Sequence, residues 1–188
     1  MEKLLFFDVE TTGVKHWENG IHQLSGAVII DGKVKEKFNF KIKPDPSVKI
    51  EAQALEVSGI TIADLANYPE QKEIYKKFTS LLSKYVDKYQ KVDKFFLVGY
   101  NNAAFDNSFL RGFFDQCGDR FFGSYFWAGA IDVMVLALHK LRHERHLLAN
   151  FKQGTVAKYL GIDVDESRLH DAEYDVWVLH EIYKKVSI

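Results

Sequence analysis

Lys3-Leu4-Leu5-Phe6-Phe7-Asp8-Val9-Glu10-Thr11-Thr12-Gly13 is an apolar run that ends in two carboxylates and a turn. It is short, bulky and bounded by glycine, which reads as a buried central strand. Asp8 and Glu10 are two positions apart, so on a strand both side chains point to one face. Carboxylates crowded on one face repel each other unless a cation lies between them. Oxygen-only ligands of this kind suit Mg2+ or Mn2+. An Asp-x-Glu alone is common by chance, so its meaning depends on what else the chain brings to it.

Residues 21–30 are apolar and β-prone, and Asp31-Gly32 after them is a two-residue hairpin signal. Val34, Phe38, Phe40 and Ile42 then lie on one parity, with Lys35, Lys37, Asn39, Lys41 and Lys43 on the other. The first third is therefore expected to be a three-stranded antiparallel meander, closed by Pro44 and Pro46. Residues 50–57 read as a short helix stopped by Gly59, and Thr61-Ile62-Ala63-Asp64 as a capping box opening another. Pro69-Glu70 opens a longer helix. Its face is expected to run through Ile74, Phe78, Leu81, Leu82, Tyr85 and Tyr89.

Residues 95–99 read as a second buried strand. Phe105, Phe109, Leu110, Phe113, Phe114 and Cys117 mark a helix that Gly118 ends. Residues 131–141 and 155–160 are expected to be helical, and the last helix to run from about Asp171 to Lys185. Repeats, low-complexity tracts and domain boundaries are not evident. Residues 1–188 are read as a single α/β layered domain.

Of the 188 residues, 47% are hydrophobic and the charged ones are mixed in sign, as in a globular chain rather than a disordered one. The formal net charge of −1 argues against a large basic surface for coating duplex DNA. Cys117 is the only cysteine, so no internal disulfide forms, which suits a reducing cytosol. The N-terminal apolar run is too short for a signal peptide, and no stretch is long enough to span a membrane. A soluble cytoplasmic protein is expected.

Two more acidic segments follow the first: Asn101-Asn102-Ala103-Ala104-Phe105-Asp106 and His170-Asp171-Ala172-Glu173-Tyr174-Asp175. Taken singly, each has an ordinary reading. Asp106 suits a helix cap, Asn101 and Asn102 suit a turn, His170 a loop, and Asp175 a solvated helix. Taken in order, Asp8, Glu10, Asp106 and Asp175 with His170 make four carboxylates and one histidine, the group set of a two-metal phosphodiester hydrolase. With those four acids under metal, 22 acidic residues remain against 25 basic ones, so bound cations would be the main attractor of phosphate.

In these three segments the chain resembles the DnaQ-like 3′–5′ exonucleases, the histidine subclass (DEDDh) of the DEDD superfamily. Asp8-Val9-Glu10-Thr11-Thr12-Gly13 is similar to the first motif of that family. Gly99 through Asp106 with Phe109-Leu110 is similar to the second, and His170-x-Ala172-x-x-Asp175 to the third. The tyrosine subclass carries Tyr four residues before the last Asp, where this chain has Asp171. Softer likeness in Val57-Ser58-Gly59-Ile60-Thr61, Ile131-Asp132-Val133 and Val156 through Ile162 extends the resemblance to about residues 3–186. Ser58 and Asn101 stand where many relatives carry His, which bears on substrate preference rather than on metal ligation.

The resemblance implies an RNase H-like fold, a five-stranded mixed sheet flanked by helices. It implies that Asp8, Glu10, Asp106 and Asp175 hold two Mg2+ or Mn2+ ions about 3.5–4 Å apart. His170 is implied as the general base, and Thr11, Thr12 and Asn102 as substrate contacts. The expected reaction is hydrolysis of terminal phosphodiesters of single-stranded or frayed DNA to nucleoside 5′-monophosphates. The alternatives are RNA trimming or oligonucleotide degradation, and a non-catalytic nucleic-acid-binding or polymerase-associated module. A polymerase is a candidate partner. The chain stops soon after its last helix, which is expected of a free-standing enzyme or of one whose partner docks on the domain surface.

Phe105 is read as packing rather than stacking on a base. The cluster His139, Lys140, Arg142, His143, Arg145 and His146 is read as a solvated helix face and loop, not a phosphate-contacting edge. His139 and His143 are not read as a zinc pair. His16, His22 and His180 carry no separable signal, and Asp132 and Glu173 are assigned structural roles.

Overall fold

The computed structural model describes residues 1–169 and 171–187. The opening run forms the central strand β1 (Lys3–Thr11), followed by β2 (Ile21–Ile30) and β3 (Lys33–Lys41). These pair antiparallel as the expected meander, with Asp31 and Gly32 at φ 47° and 73° in the hairpin turn. Positive φ at both central residues matches the twist of the flanking strands, hence Asp-Gly there. On the other side, β1 pairs parallel with β4 (Phe95–Gly99), and β4 pairs parallel with β5 (Phe126–Asp132). The sheet order is β3-β2-β1-β4-β5.

Helices α1 (Ala52–Val57), α2 (Ile62–Ala66) and α3 (Gln71–Ser83) lie between β3 and β4, and α4 (Asp106–Gln116) lies between β4 and β5. Helices α5 (Val133–Lys140), α6 (Gln153–Tyr159) and α7 (Ala172–Val186) follow. The capping box at Thr61 and Asp64 is complete. Alternation along β1 sends Leu5, Phe7 and Val9 into an aromatic core with α3 and α4, and Leu4 and Phe6 into a second core with α5, α6 and α7. The sheet is thus covered on both faces, as a parallel-containing sheet requires.

Two sequence expectations are corrected. The α3 face ends at Ser83, and Tyr85 and Tyr89 lie beyond it, with Tyr89 86% exposed. A polar knot stops the helix: Lys3 donates to Tyr85 O and to Asp93, while the Asp87 N–H donates to Asp93 Oδ2. Residues 131 and 132 are not helical either. They end β5, and α5 starts at Val133 with Asp132 as its N-cap, its carboxylate accepting from the Met134 N–H. Ile131 pairs with Val98 there, so the apolar run through residues 131–141 is divided between strand and helix.

The last helix is close to its expected span, capped by Asp171. The His139 to His146 cluster straddles the end of α5 and a 3₁₀ turn over Arg142–Leu147, and the only group of acids and histidines placed for a metal among the described residues lies elsewhere. No helix among the described residues is long and apolar enough to cross a membrane.

Candidate active site

Three elements meet at the C-terminal end of β1. Asp8 and Glu10 come from the strand itself, on the α7 side, continuing the Leu4–Phe6 parity. Asp175 comes from the first turn of α7, which Gln153 of α6 anchors by donating to the Asp175 carbonyl at 2.7 Å. Carboxylate oxygens of Asp8, Glu10 and Asp175 all lie within 4.8 Å of one another, and each residue is half-buried. Asp106 opens α4 and is 6% exposed. The β1–β4 pairing covers Leu4 to Phe6, and beyond it the Val9 N–H turns to the Asp106 carboxylate. The first turns of α4 and α7 both present their positive dipole ends to this centre.

The electrostatics are those of carboxylates buried in one another's company. Burial raises Asp8 well above the usual carboxylate range, and the charges of Asp106, Asp175 and Glu10 add to it. Burial also raises Glu10 to about 7 against the relief of its hydrogen bond from Ser58. Asp106 rises to about 7 through burial, opposed by backbone N–H groups of Asp106 and Val9. Hard oxygen donors that cannot all ionise in their own company fit a divalent cation such as Mg2+ or Mn2+.

A polar lane surrounds the carboxylates. Asp8 pairs in register with Ser25 and Glu10 with Gln23, and these pair with Asn39 and Lys41 on β3. Ser25 Oγ and Gln23 Nε2 both donate to Asn39 Oδ1, at 2.9 and 3.0 Å, and Lys41 donates to Gln23. Asn39 in turn donates to Glu173 at 3.1 Å, which ties β3 to α7. Asp132 caps α5 and accepts from the Asn101 N–H at 2.9 Å.

Thr12 and Asn102 are fully buried. Thr12 Oγ1 donates to Lys49 O and accepts from the Gly20 N–H, and Thr11 Oγ1 donates to Gly13 O. A Cβ on Gly13 would stand 2.4 Å from the Asn19 amide, so only glycine lets this loop close. Asn102 Nδ2 donates to Asn107 Oδ1 at 3.2 Å, and the Asn102 backbone carbonyl receives the N–H groups of Phe105 and Asn107. The two threonine hydroxyls thus bind backbone and the Asn102 amide binds Asn107, all three buried rather than facing solvent. Phe105 packs on Phe109, ring centroids 4.7 Å apart. His170 lies outside the described residues.

Ser58, read from the sequence only as bearing on substrate preference, and His22, read as background, belong to this neighbourhood. Ser58 Oγ donates to Glu10 Oε2 at 2.8 Å and lies 3.3 Å from His22 Nε2. The β1–β2 register slips between Glu10 and Thr11, making His22 an extra residue opposite the slip, and such bulges re-aim side chains near sites. Burial, with Lys41 adding to it, lowers His22 to about 4, so a neutral imidazole backs Ser58. The available signal was a His-Gln pair interrupting an apolar strand opposite Glu10.

The sheet order and the acids gathered at the end of β1 define an RNase H-like α/β protein with an acidic centre. A family model described as exonuclease (RNase T) matches residues 5–183, and the chain belongs to this DnaQ-like exonuclease family. It is 28% identical over 182 residues to the PolC-type DNA polymerase III of Mycoplasmopsis pulmonis, covering 97% of this chain and 11% of that protein. The Bacillus cereus counterpart is 25% identical over 187 residues, 98% of this chain and 12% of that protein. The chain thus spans about a tenth of the length of these curated relatives. The structure of E. coli exonuclease I in complex with a dT13 oligonucleotide superposes with a TM-score of 0.78 at 23% identity, over 100% of this chain and 41% of that one.

Proposed function

We propose that the chain is a 3′–5′ exonuclease that removes nucleoside 5′-monophosphates from single-stranded or frayed 3′ ends of DNA, with residues 1–188 as one exonuclease domain. The observation that carries this reading is the gathering of Asp8, Glu10 and Asp175 within 4.8 Å in a chain of the exonuclease family. Asp8, Glu10, Asp106 and Asp175 would hold two Mg2+ or Mn2+ ions. When bound, such ions neutralise phosphate charge and lower the pKa of water.

The chain's own groups divide the remaining work. His170, one residue before the N-cap of α7, is assigned the proton of the attacking water, since an imidazole titrates near neutral pH. Ser58 keeps Glu10 oriented and its charge favoured, and neutral His22 backs Ser58. Thr11, Thr12 and Asn102 serve the terminal nucleotide by fixing the loop and turn on either side of the carboxylates.

DNA is favoured over RNA because the relatives matching nearly the whole chain are DNA polymerases. The same likeness makes a DNA polymerase the favoured partner class. The test is product analysis on 5′-labelled DNA and RNA oligonucleotides with Mg2+, Mn2+ or EDTA. The expected result is a metal-dependent ladder shortening from the 3′ end, faster on DNA. Absence of cleavage by folded protein in either metal would overturn the reading.

A further inference from the structure

A cleft of about 420 Å3 lies outside the carboxylate centre, between edge strand β3 and helix α7. Its walls carry Lys37, Arg168, Glu173, Tyr174, Trp177 and His180. The backbone of Gly26 and the small side chain of Ala27 line it as well. The Asn39–Glu173 hydrogen bond stands between this cleft and the lane that leads to Asp8.

The chemistry of its walls is specific. Tyr174 and Trp177, one helical turn apart, stack with centroids 5.3 Å apart and planes 26° from parallel. Arg168 covers the Tyr174 ring at 4.4 Å, and the Tyr174 hydroxyl, accepting from the Asp165 N–H, fixes that ring. Trp177 nevertheless stays 39% exposed, with indole surface turned to solvent. Among the described residues neither Lys37 nor Arg168 is in an ion pair, whereas Lys43 is paired with Glu70 and Lys41 is bound to Gln23. Glu173 is engaged by Asn39, so the cleft presents two cations against one occupied carboxylate. Burial keeps His180 on its neutral side, with Lys184 and Lys37 contributing.

We propose that this cleft is a second nucleotide-binding site, in which an unpaired base stacks on Trp177 while Lys37 and Arg168 hold its phosphate. A flat exposed indole is sequence-tolerant towards bases, and the two cations suit a phosphate or phosphodiester anion. The ligand is a nucleotide unit, either a free mononucleotide or one residue of a polynucleotide whose 3′ end lies at the carboxylates. The inference rests on the exonuclease reading for its supply of nucleotides, and its test is separate from turnover.

The experiment is calorimetric titration of the protein in EDTA with dTMP, and with a dT oligonucleotide bearing a blocked 3′ end. Without metal the carboxylates repel phosphate, so binding reports on the cleft. Saturable binding of at least one probe is expected, and Trp177→Leu and Lys37→Glu should each weaken it by roughly tenfold. Lys77→Glu, on α3 behind the sheet, should change it by less than about twofold. Binding of dTMP assigns the site to free nucleotide as well, and binding of the oligonucleotide alone assigns it to the strand. No binding of either probe to folded protein, or wild-type affinity in both cleft variants, overturns the proposal. Cleavage in Mg2+ is scored independently: a protein that cleaves but binds neither probe in EDTA loses only the cleft. One that binds in EDTA without cleaving loses the exonuclease reading.

Discussion

The two faces of β1 differ sharply although they are built from alternate residues of one strand. Leu5, Phe7 and Val9 enter a dry aromatic layer in which Phe78, Phe114 and Phe126 meet edge to face. On the other face, apolar Leu4 and Phe6 give way to Asp8 and Glu10, set against Ser25, Gln23 and Asp175. The dry face supplies close packing, which fixes the backbone. The acidic face carries repulsion that packing alone does not relieve. A strand held firmly from behind can therefore present charges that would otherwise push it away.

Removing one charge from the acidic face and, separately, one ring from the dry face should have opposite consequences. Asp8→Ala should abolish turnover while leaving the melting temperature in EDTA equal to or above wild type, because a repelling buried carboxylate has gone. Phe7→Ala on the other face should cost about 3–5 kcal/mol in urea unfolding. An Asp8→Ala protein that cleaves at nearly the wild-type rate would remove the acidic centre from the mechanism.

His170→Ala should slow turnover by roughly 10²–10⁴ and leave calorimetric metal affinity nearly unchanged. Loss of metal affinity instead would make His170 a ligand rather than a base.

The third test uses pH. Glu10 and Asp106 keep their protons to about pH 7 in the metal-free fold, against 4.5 and 3.8 for the free groups. The unfolded chain thus releases protons that the fold retains. Stability in EDTA should be full below the ordinary carboxylate range and fall as pH rises through 7. Mg2+ should raise the melting temperature more at pH 8 than at pH 5, and equal gains at both would refute the repulsion account.

The smallest effect is expected from Ser58→Ala, which removes the hydroxyl that favours the charged form of Glu10. Metal affinity should weaken by about tenfold or less, read by titration at pH 7. Affinity equal to wild type would mean that Ser58 only packs.

Much of this was legible along the chain because the signals are local. The meander was announced by alternation and by Asp31-Gly32, and the first turn of α7 by Asp171. What escaped reading depended on partners distant in sequence. Helix α3 stops because Lys3 and Asp93 compete for the chain beyond it, and Lys3 lies 82 positions from Tyr85 and 90 from Asp93. Residues 131 and 132 are strand because β4 lies beside them. His22 looked like background until the register slip set it behind Ser58 and Glu10.

By itself the sequence determined the identity and order of the acids, the parity that puts Asp8 and Glu10 on one face, and the alternation that gives β1 two chemistries. These follow from side-chain type and from the two-residue period of a strand. The tertiary structure alone decided that Asp175 closes on Asp8 and Glu10, that Asp106 receives the Val9 N–H, and that Lys37 and Trp177 face one cleft. Those are distances between segments far apart in the chain, set by how the helices pack on the sheet.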